Sequence, residues 1–136
     1  MDSDPRLAEE GRTMARTKRF RVAFRDADLL TDLVGSTVQA RHAALTARAQ
    51  LTQHGITTDL LRPVDPDAND GTQLDGCVKA YVDRHGVTRD GRAPWGLVLQ
   101  LRIDTHGPLL VVVAFGRRHP DHGLSVYQRA HRRLHP

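Results

Sequence analysis

The sequence predicts an α+β fold. The expected architecture is a mainly antiparallel sheet of about four strands, a long helix or helical pair before it, and a basic C-terminal helix. Three observations carry this. Residues 18–25, KRFRVAFR, alternate apolar and basic side chains, the period-two signature of a half-buried strand. Residues 27–54 contain no proline and turn alanine-rich in their second half, as a helix would. Three apolar runs follow, and after them an amphipathic stretch; strands and helices segregated in this way belong to an α+β domain.

Taken in order, residues 1–16 are polar and aperiodic. They read as a disordered leader, with Met14 an alternative natural start. A single domain is expected over 17–136, because 136 residues suit one compact core. In the first strand, Phe20, Val22 and Phe24 share one face, and Arg19, Arg21 and Arg25 lie mostly on the other. In the helical region, Leu29, Leu30, Leu33 and Val34 form an apolar patch. Gly35-Ser36 can interrupt it, with Ser36 able to cap a second helix. Val38, Leu45, Ala49 and Leu51 are expected inward. Gly55 followed by Ile56 fits a left-handed stop with a contact back to Leu51.

Residues 62–76, RPVDPDANDGTQLDG, form an acidic loop. Residues 77–84 alternate through Val78, Ala80 and Val82. Residues 97–103 alternate through Leu97, Leu99, Leu101 and Ile103. Residues 109–115, LLVVVAF, are apolar on both faces, as a central strand should be. The short connection 105–108 makes the last two strands a hairpin. From Ser125 to Leu134, Val126, Ala130 and Leu134 lie on one helical face, with Arg129, Arg132 and Arg133 outward.

Composition narrows the function classes. Lys+Arg number 20 against 16 Asp+Glu, a net charge of +4, and only Lys18 and Lys79 are lysine. Such a balance favours polyanionic partners, and arginine suits phosphate because its planar fork donates two parallel hydrogen bonds. No apolar run is long enough for a membrane helix, so no membrane partner is expected. With no basic-then-apolar leader, a cytoplasmic location is expected. The lone Cys77 excludes an internal disulfide.

The charge concentrates at the C-terminal end. Residues 117–136 hold five arginines, four histidines and one aspartate. Arg117-Arg118-His119-Pro120-Asp121-His122 begins where the apolar strand ends, and Tyr127, Arg129, Arg132 and Arg133 follow on the helix. With Arg19 and Arg21 on the first strand and Arg102 on the polar face of the 97–103 run, these arginines are the candidate phosphate contacts. The spacing of His119 and His122, and of His131 and His135, admits a metal reading, but no HExxH accompanies it and no metal or other cofactor is expected. The acidic loop fails the calcium pattern: counted from Asp65, position 6 is Asp70 and position 12 is Gly76. No phosphate loop, dinucleotide fingerprint or nucleophile elbow is present. Metal-independent RNA cleavage stays chemically open. It needs a base, an acid and cations around the phosphorus; His119, His122 and Tyr127 can move protons, and Arg102, Arg117, Arg118 and Arg129 can stabilise charge.

The stretch Leu109–Leu134, LLVVVAFGRRHPDHGLSVYQRAHRRL, together with the element order, resembles the RelE/HigB superfamily of bacterial toxin ribonucleases. In the HigB-type members a buried strand runs into a phenylalanine, a basic pair, a proline and a helix with alanine and arginine, here Phe115, Arg117-Arg118, Pro120, and Ala130 with Arg133. The resemblance implies that the basic pair and Tyr127 face RNA and that the partner is an antitoxin. It covers about a fifth of the chain. The acidic loop has no counterpart, and the extra arginine-bearing strand of such toxins is not evident. Two other readings stand beside it: a non-catalytic DNA- or RNA-binding regulator or mobile-element accessory protein, and a protein-interaction or assembly subunit, homo-oligomers included, that binds no nucleic acid. Six aromatic residues are too few for base stacking to dominate, so contact with the phosphate backbone is the expected source of affinity.

Overall fold

The computed structural model describes residues 17–64 and 72–136. The expected leader 1–16 and the centre of the acidic loop, 65–71, lie outside the described residues. The fold is α+β. In chain order come β1 (Arg19–Phe24), α1 (Asp26–Leu33), α2 (Val38–His54) and β2 (Ile56–Thr57). A 3-10 turn (Thr58–Leu60) leads to β3 (Arg62–Pro63), β4 (Cys77–Asp83), β5 (Gly86–Thr88), β6 (Trp95–Asp104), β7 (Gly107–Arg117) and α3 (Val126–Leu134).

The sheet corrects the expected topology. Among the described residues it has seven strands, in the order β2-β1-β7-β6-β4-β3, with β5 also on β4. It is mixed, because β1 runs parallel to β7, from Arg21↔Leu109 to Phe24↔Val112. Periodicity marks strands but not their neighbours or directions. The short strands β2, β3 and β5 hold two or three residues each, too few for any alternation to register.

The β6–β7 hairpin forms as expected, from Trp95↔Arg117 to Asp104↔Gly107. A bulge interrupts it: Val98 faces Ala114 while Leu99 faces Val112, so Val113 has no partner on β6. Helices α1 and α2 cover one face of the sheet. That core holds Leu29, Leu33, the Ala40–Ala47 ridge, Leu51, Leu97, Leu99, Val112 and Phe115. Helix α3 covers the other face with Val126, Tyr127 and Ala130 against Val98, Val113, Ala114 and Cys77. β7 is therefore sandwiched, as its apolar run requires.

The helical region breaks at Gly35, whose φ of +74° suits glycine. The cap of α2 is Thr37, not Ser36: its side chain accepts from the Ala40 N–H, while Ser36 Oγ donates back to the Leu33 carbonyl. The inward face of α2 also differs from expectation. Val38 and Leu45 are 69% and 55% exposed, and Ala49 is exposed. Small alanines at 40, 43, 44 and 47 face the sheet instead, letting the helix lie close. Leu51 and Ile56 are buried as expected. At Gly55 (φ +69°) a Cβ would collide with the Phe20 carbonyl oxygen, so the α2–β2 turn needs glycine twice over.

Candidate nucleic-acid interface

The C-terminal helix is built to hold its place. Ser125 caps it, accepting from the Gln128 N–H, while the Gln128 side chain accepts from the Ser125 N–H, a complete capping box. The buried apolar face is the expected one. Its arginines are not deployed as expected.

β1 pairs with β7 only as far as Val112. Beyond that point the β7 edge would present bare backbone groups, which a buried strand cannot leave unpaired. Side chains close it. Asp32 on α1, 4% exposed, accepts the Phe115 N–H at 2.9 Å. Arg133 donates from Nη1 to the Val113 carbonyl at 2.8 Å and grips Asp32 in bidentate fashion, at 2.8 and 2.5 Å. Arg129 Nη1 reaches Asp32 Oδ1 at 3.2 Å and the Phe115 carbonyl at 3.4 Å. Hydrogen bonding to Asp32 raises the Arg133 pKa above its ordinary value. Arg129 and Arg133, expected to point outward at phosphate, instead turn inward and staple α1 and α3 to the edge of β7. Of the helix's three arginines, Arg132 alone is exposed.

The other expected contacts fall into two groups. At the hairpin end, Arg21, Leu109 and Arg102 are in register on three adjacent strands, which sets the two arginines about 10 Å apart. Arg21 is paired with Asp104 at 2.7 and 3.1 Å. This hydrogen bond and the Asp104–His106 N–H bond hold the Asp104 carboxyl down to about 2. Arg102 donates to Gln100 Oε1. Arg19 donates to the His54 carbonyl at 2.5 Å.

At the other end of β7, eight residues and about 26 Å away, the basic pair splits across the sheet. Arg117 lies beside Trp95 on the α1/α2 side. Its side chain makes no hydrogen bond or ion pair with another described residue. Arg118 lies on the α3 side. Its guanidinium donates to the Gly91 and Ala93 carbonyls at 2.7 and 3.0 Å and stacks 3.9 Å from the Tyr81 ring centroid. Lys79 Nζ sits 5.6 Å from the Tyr81 ring and 5.4 Å from the Tyr127 ring. Two cations and two phenols, from β4, the end of β7 and α3, therefore meet on one face. Neither cation has a carboxylate partner among the described residues.

Of the expected proton carriers, Tyr127 is in this cluster, though its ring is 5% exposed. His119 and His122 are exposed on the β7–α3 loop and have no hydrogen bond among the described residues. His131 and His135 do other work: His131 Nδ1 accepts the Gln73 N–H and His135 Nε2 meets the Gln73 carbonyl, both at 2.9 Å. Among the described residues, no three His, Cys, Asp or Glu side chains converge as a metal site would require, and no helix is long and apolar enough to cross a membrane. Burial pushes the Cys77 thiol pKa up, with Asp75 adding to the shift.

Sequence reasoning did not single out Lys79, Tyr81 or Asp32 for these roles. Lys79 and Tyr81 occupy the polar alternation of β4, opposite Val78, Ala80 and Val82, and that alternation was the available signal. Their approach to Tyr127 and Arg118 depends on strand order. No family model, no curated protein and no solved structure matches this chain.

Proposed function

We propose that the protein binds nucleic acid through the α3-side face of its sheet, with RNA as the substrate and metal-independent strand cleavage as the chemistry. The observation that carries this reading is the Lys79–Tyr81–Arg118–Tyr127 cluster. Cations unopposed by carboxylate attract a phosphodiester. Tyr81, whose ring meets both Lys79 and Arg118, places a phenol beside the two cations. Arg118 is preset by the two carbonyl acceptors of its Nη1, and its Nη2 and the Lys79 ammonium are the donors for the phosphate oxygens. In cleavage, a base removes the proton of the RNA 2′-hydroxyl and the 2′-oxygen attacks the adjacent phosphorus. The 5′-oxygen leaves with a proton from an acid, giving a 2′,3′-cyclic phosphate. Tyr81 and Tyr127 are the proton carriers within the cluster, and the two cations answer the charge that builds on the phosphorane. Arg102 and Arg132 extend the cationic surface. The resemblance to RelE/HigB toxins points the same way.

The test is anisotropy binding of labelled RNA and DNA with salt titration, beside an RNA cleavage assay in EDTA. Affinity should fall roughly tenfold or more between 50 and 200 mM salt if several phosphates are contacted. Lys79→Ala should weaken RNA binding, and Tyr81→Phe should suppress cleavage more than binding. A salt-independent affinity, or RNA left intact in cells and in vitro, would overturn respectively the binding and the cleavage parts. Binding without cleavage leaves the non-catalytic regulator reading.

A further inference from the structure

The splitting of the basic pair leaves Arg117 on the face opposite the cluster, where it borders a second cleft. This cleft of about 210 Å³ lies between the α1–α2 turn and the adjoining ends of β6 and β7. Arg117 and Trp95 are directly paired across β6 and β7, so their side chains neighbour one another on the cleft wall. Trp95 is 8% exposed, and its indole N–H has no acceptor among the described residues. Arg129 contributes a side chain 31% exposed. Among the described residues the single carboxylate in the wall is Asp32, and it is already answered by Arg129 and Arg133. The cleft thus keeps an unopposed guanidinium, a free indole donor and a net positive charge. Thr37 and Ala40, at the start of α2, form the opposite wall, with the Ala40 N–H on Thr37 Oγ1 and the Arg41 N–H on the Thr37 carbonyl. The helix start adds positive partial charge to a site that Arg117 and Trp95 already define.

Size selects the ligand. The cleft is smaller than the roughly 300 Å³ at which drug-sized sites begin. A polynucleotide cannot thread it, but one phosphoryl group can enter. A terminal phosphate monoester carries nearly two negative charges near neutral pH, since its second pKa is about 6. An internal phosphodiester carries one.

We propose that this cleft binds the terminal phosphate monoester of a nucleic-acid strand through Arg117 and the Trp95 indole N–H. The inference rests on the nucleic-acid reading for its ligand class, and on the cleft alone for its geometry.

Trp95 is the only tryptophan in the chain, so the site carries its own fluorescent reporter. The experiment titrates the full-length protein with short oligoribonucleotides of one sequence bearing a 5′-phosphate, a 3′-phosphate or only hydroxyl ends, and with inorganic phosphate. A saturable change in tryptophan emission is expected for a phosphate-ended strand, at least about tenfold tighter than for the hydroxyl-ended one. Arg117→Gln, at an exposed position that the fold does not need, should abolish that difference. Lys79→Ala should weaken anisotropy binding of long RNA while leaving the end-phosphate response in place, which separates failure of this site from failure of the cluster. Equal affinities for phosphate- and hydroxyl-ended strands, or a response indifferent to Arg117→Gln, overturn the proposal. Inorganic phosphate binding as tightly as the strand end overturns the strand-end assignment in favour of a free-phosphate site.

Discussion

Asp32→Ala tests the closed edge of β7 directly. The substitution removes the acceptor of the Phe115 N–H, strips Arg129 of its counter-charge and leaves Arg133 only Asp28, whose Oδ1 lies 3.7 Å from its Nε. Breaking a buried ion pair by deleting one partner costs about 3–5 kcal/mol, because the remaining charge stays buried and uncompensated. The lower half of that range is the better estimate here, because the Arg129 side chain is 31% exposed and can reach water. The Arg133 side chain is 18% exposed and has less freedom to escape. With roughly 3–5 °C of melting temperature per kcal/mol for a domain of this size, the expected drop is about 10–18 °C by calorimetry or far-ultraviolet circular dichroism. Arg133→Ala should come close to it, and Arg129→Ala should cost less.

A triple variant sharpens the argument. Replacing a buried ionic triad with apolar residues of similar volume is often neutral or stabilising. That outcome is not expected for Asp32→Leu with Arg129→Met and Arg133→Met. The triad also satisfies backbone groups, and the variant would leave the Phe115 N–H and the Val113 carbonyl buried without partners, at about 1–3 kcal/mol each. The triple variant should therefore remain destabilised by at least about 2 kcal/mol in urea unfolding. A triple variant as stable as the parent would show that the network does not close the strand edge. An Asp32→Ala variant melting within about 3 °C of the parent would refute the buried ion pair itself.

Other expectations follow from single contacts. The Asp104 carboxyl should titrate at about 2 by NMR, and Arg21→Ala should return it toward the ordinary value of about 3.9. Because its pKa is lowered by folding, the pair's contribution is complete above the ordinary carboxylate range and is lost as pH falls through about 2; a variant whose Asp104 titration is unchanged would remove Arg21 as the cause. Gly55→Ala meets both a positive φ and the Phe20 carbonyl, and should destabilise by more than about 1 kcal/mol in the same unfolding assay. Cys77 is buried with its pKa raised, so the native protein should react with a thiol reagent at neutral pH far more slowly than the urea-unfolded chain; equal rates would place the thiol at the surface.

Much of the framework was legible because it depends on local pattern. The β1 alternation, the β6–β7 hairpin and the Ser125 start of α3 each follow from a few adjacent residues, and the described elements agree with them within two or three residues at each end. What was not legible depends on partners distant in the chain. The inward face of α2 was expected to carry Val38 and Leu45, since large apolar residues usually point inward. The sheet lies so close that alanine is the residue that fits, and the larger side chains are turned out. The parallel placement of β1 beside β7 arises from the sheet's strand order, which periodicity does not encode.

The arginines make the same point about the site. On α3, Arg129, Arg132 and Arg133 share one polar stripe, and nothing in that stripe says that Asp32, about 100 residues earlier, needs two of them. Charge counted along a sequence measures cations available to the whole molecule, including its own buried carboxylates. The recognition surface is what remains after those are answered. Here the remainder includes Arg41, Arg117 and Arg132 without described side-chain partners, Arg102 on Gln100, Arg118 fixed by carbonyls and Tyr81, and Lys79 between two tyrosines. A charge scan therefore has a definite order of effects. Arg129 and Arg133 variants should lose RNA affinity only as they lose folded protein, whereas Lys79, Arg118 and Arg132 variants should lose affinity at nearly unchanged melting temperature, Arg118 apart for its two carbonyl contacts. Salt-titrated binding measured beside thermal unfolding on each variant separates the two classes. An Arg133 variant that stays folded and loses affinity would return that residue to the interface.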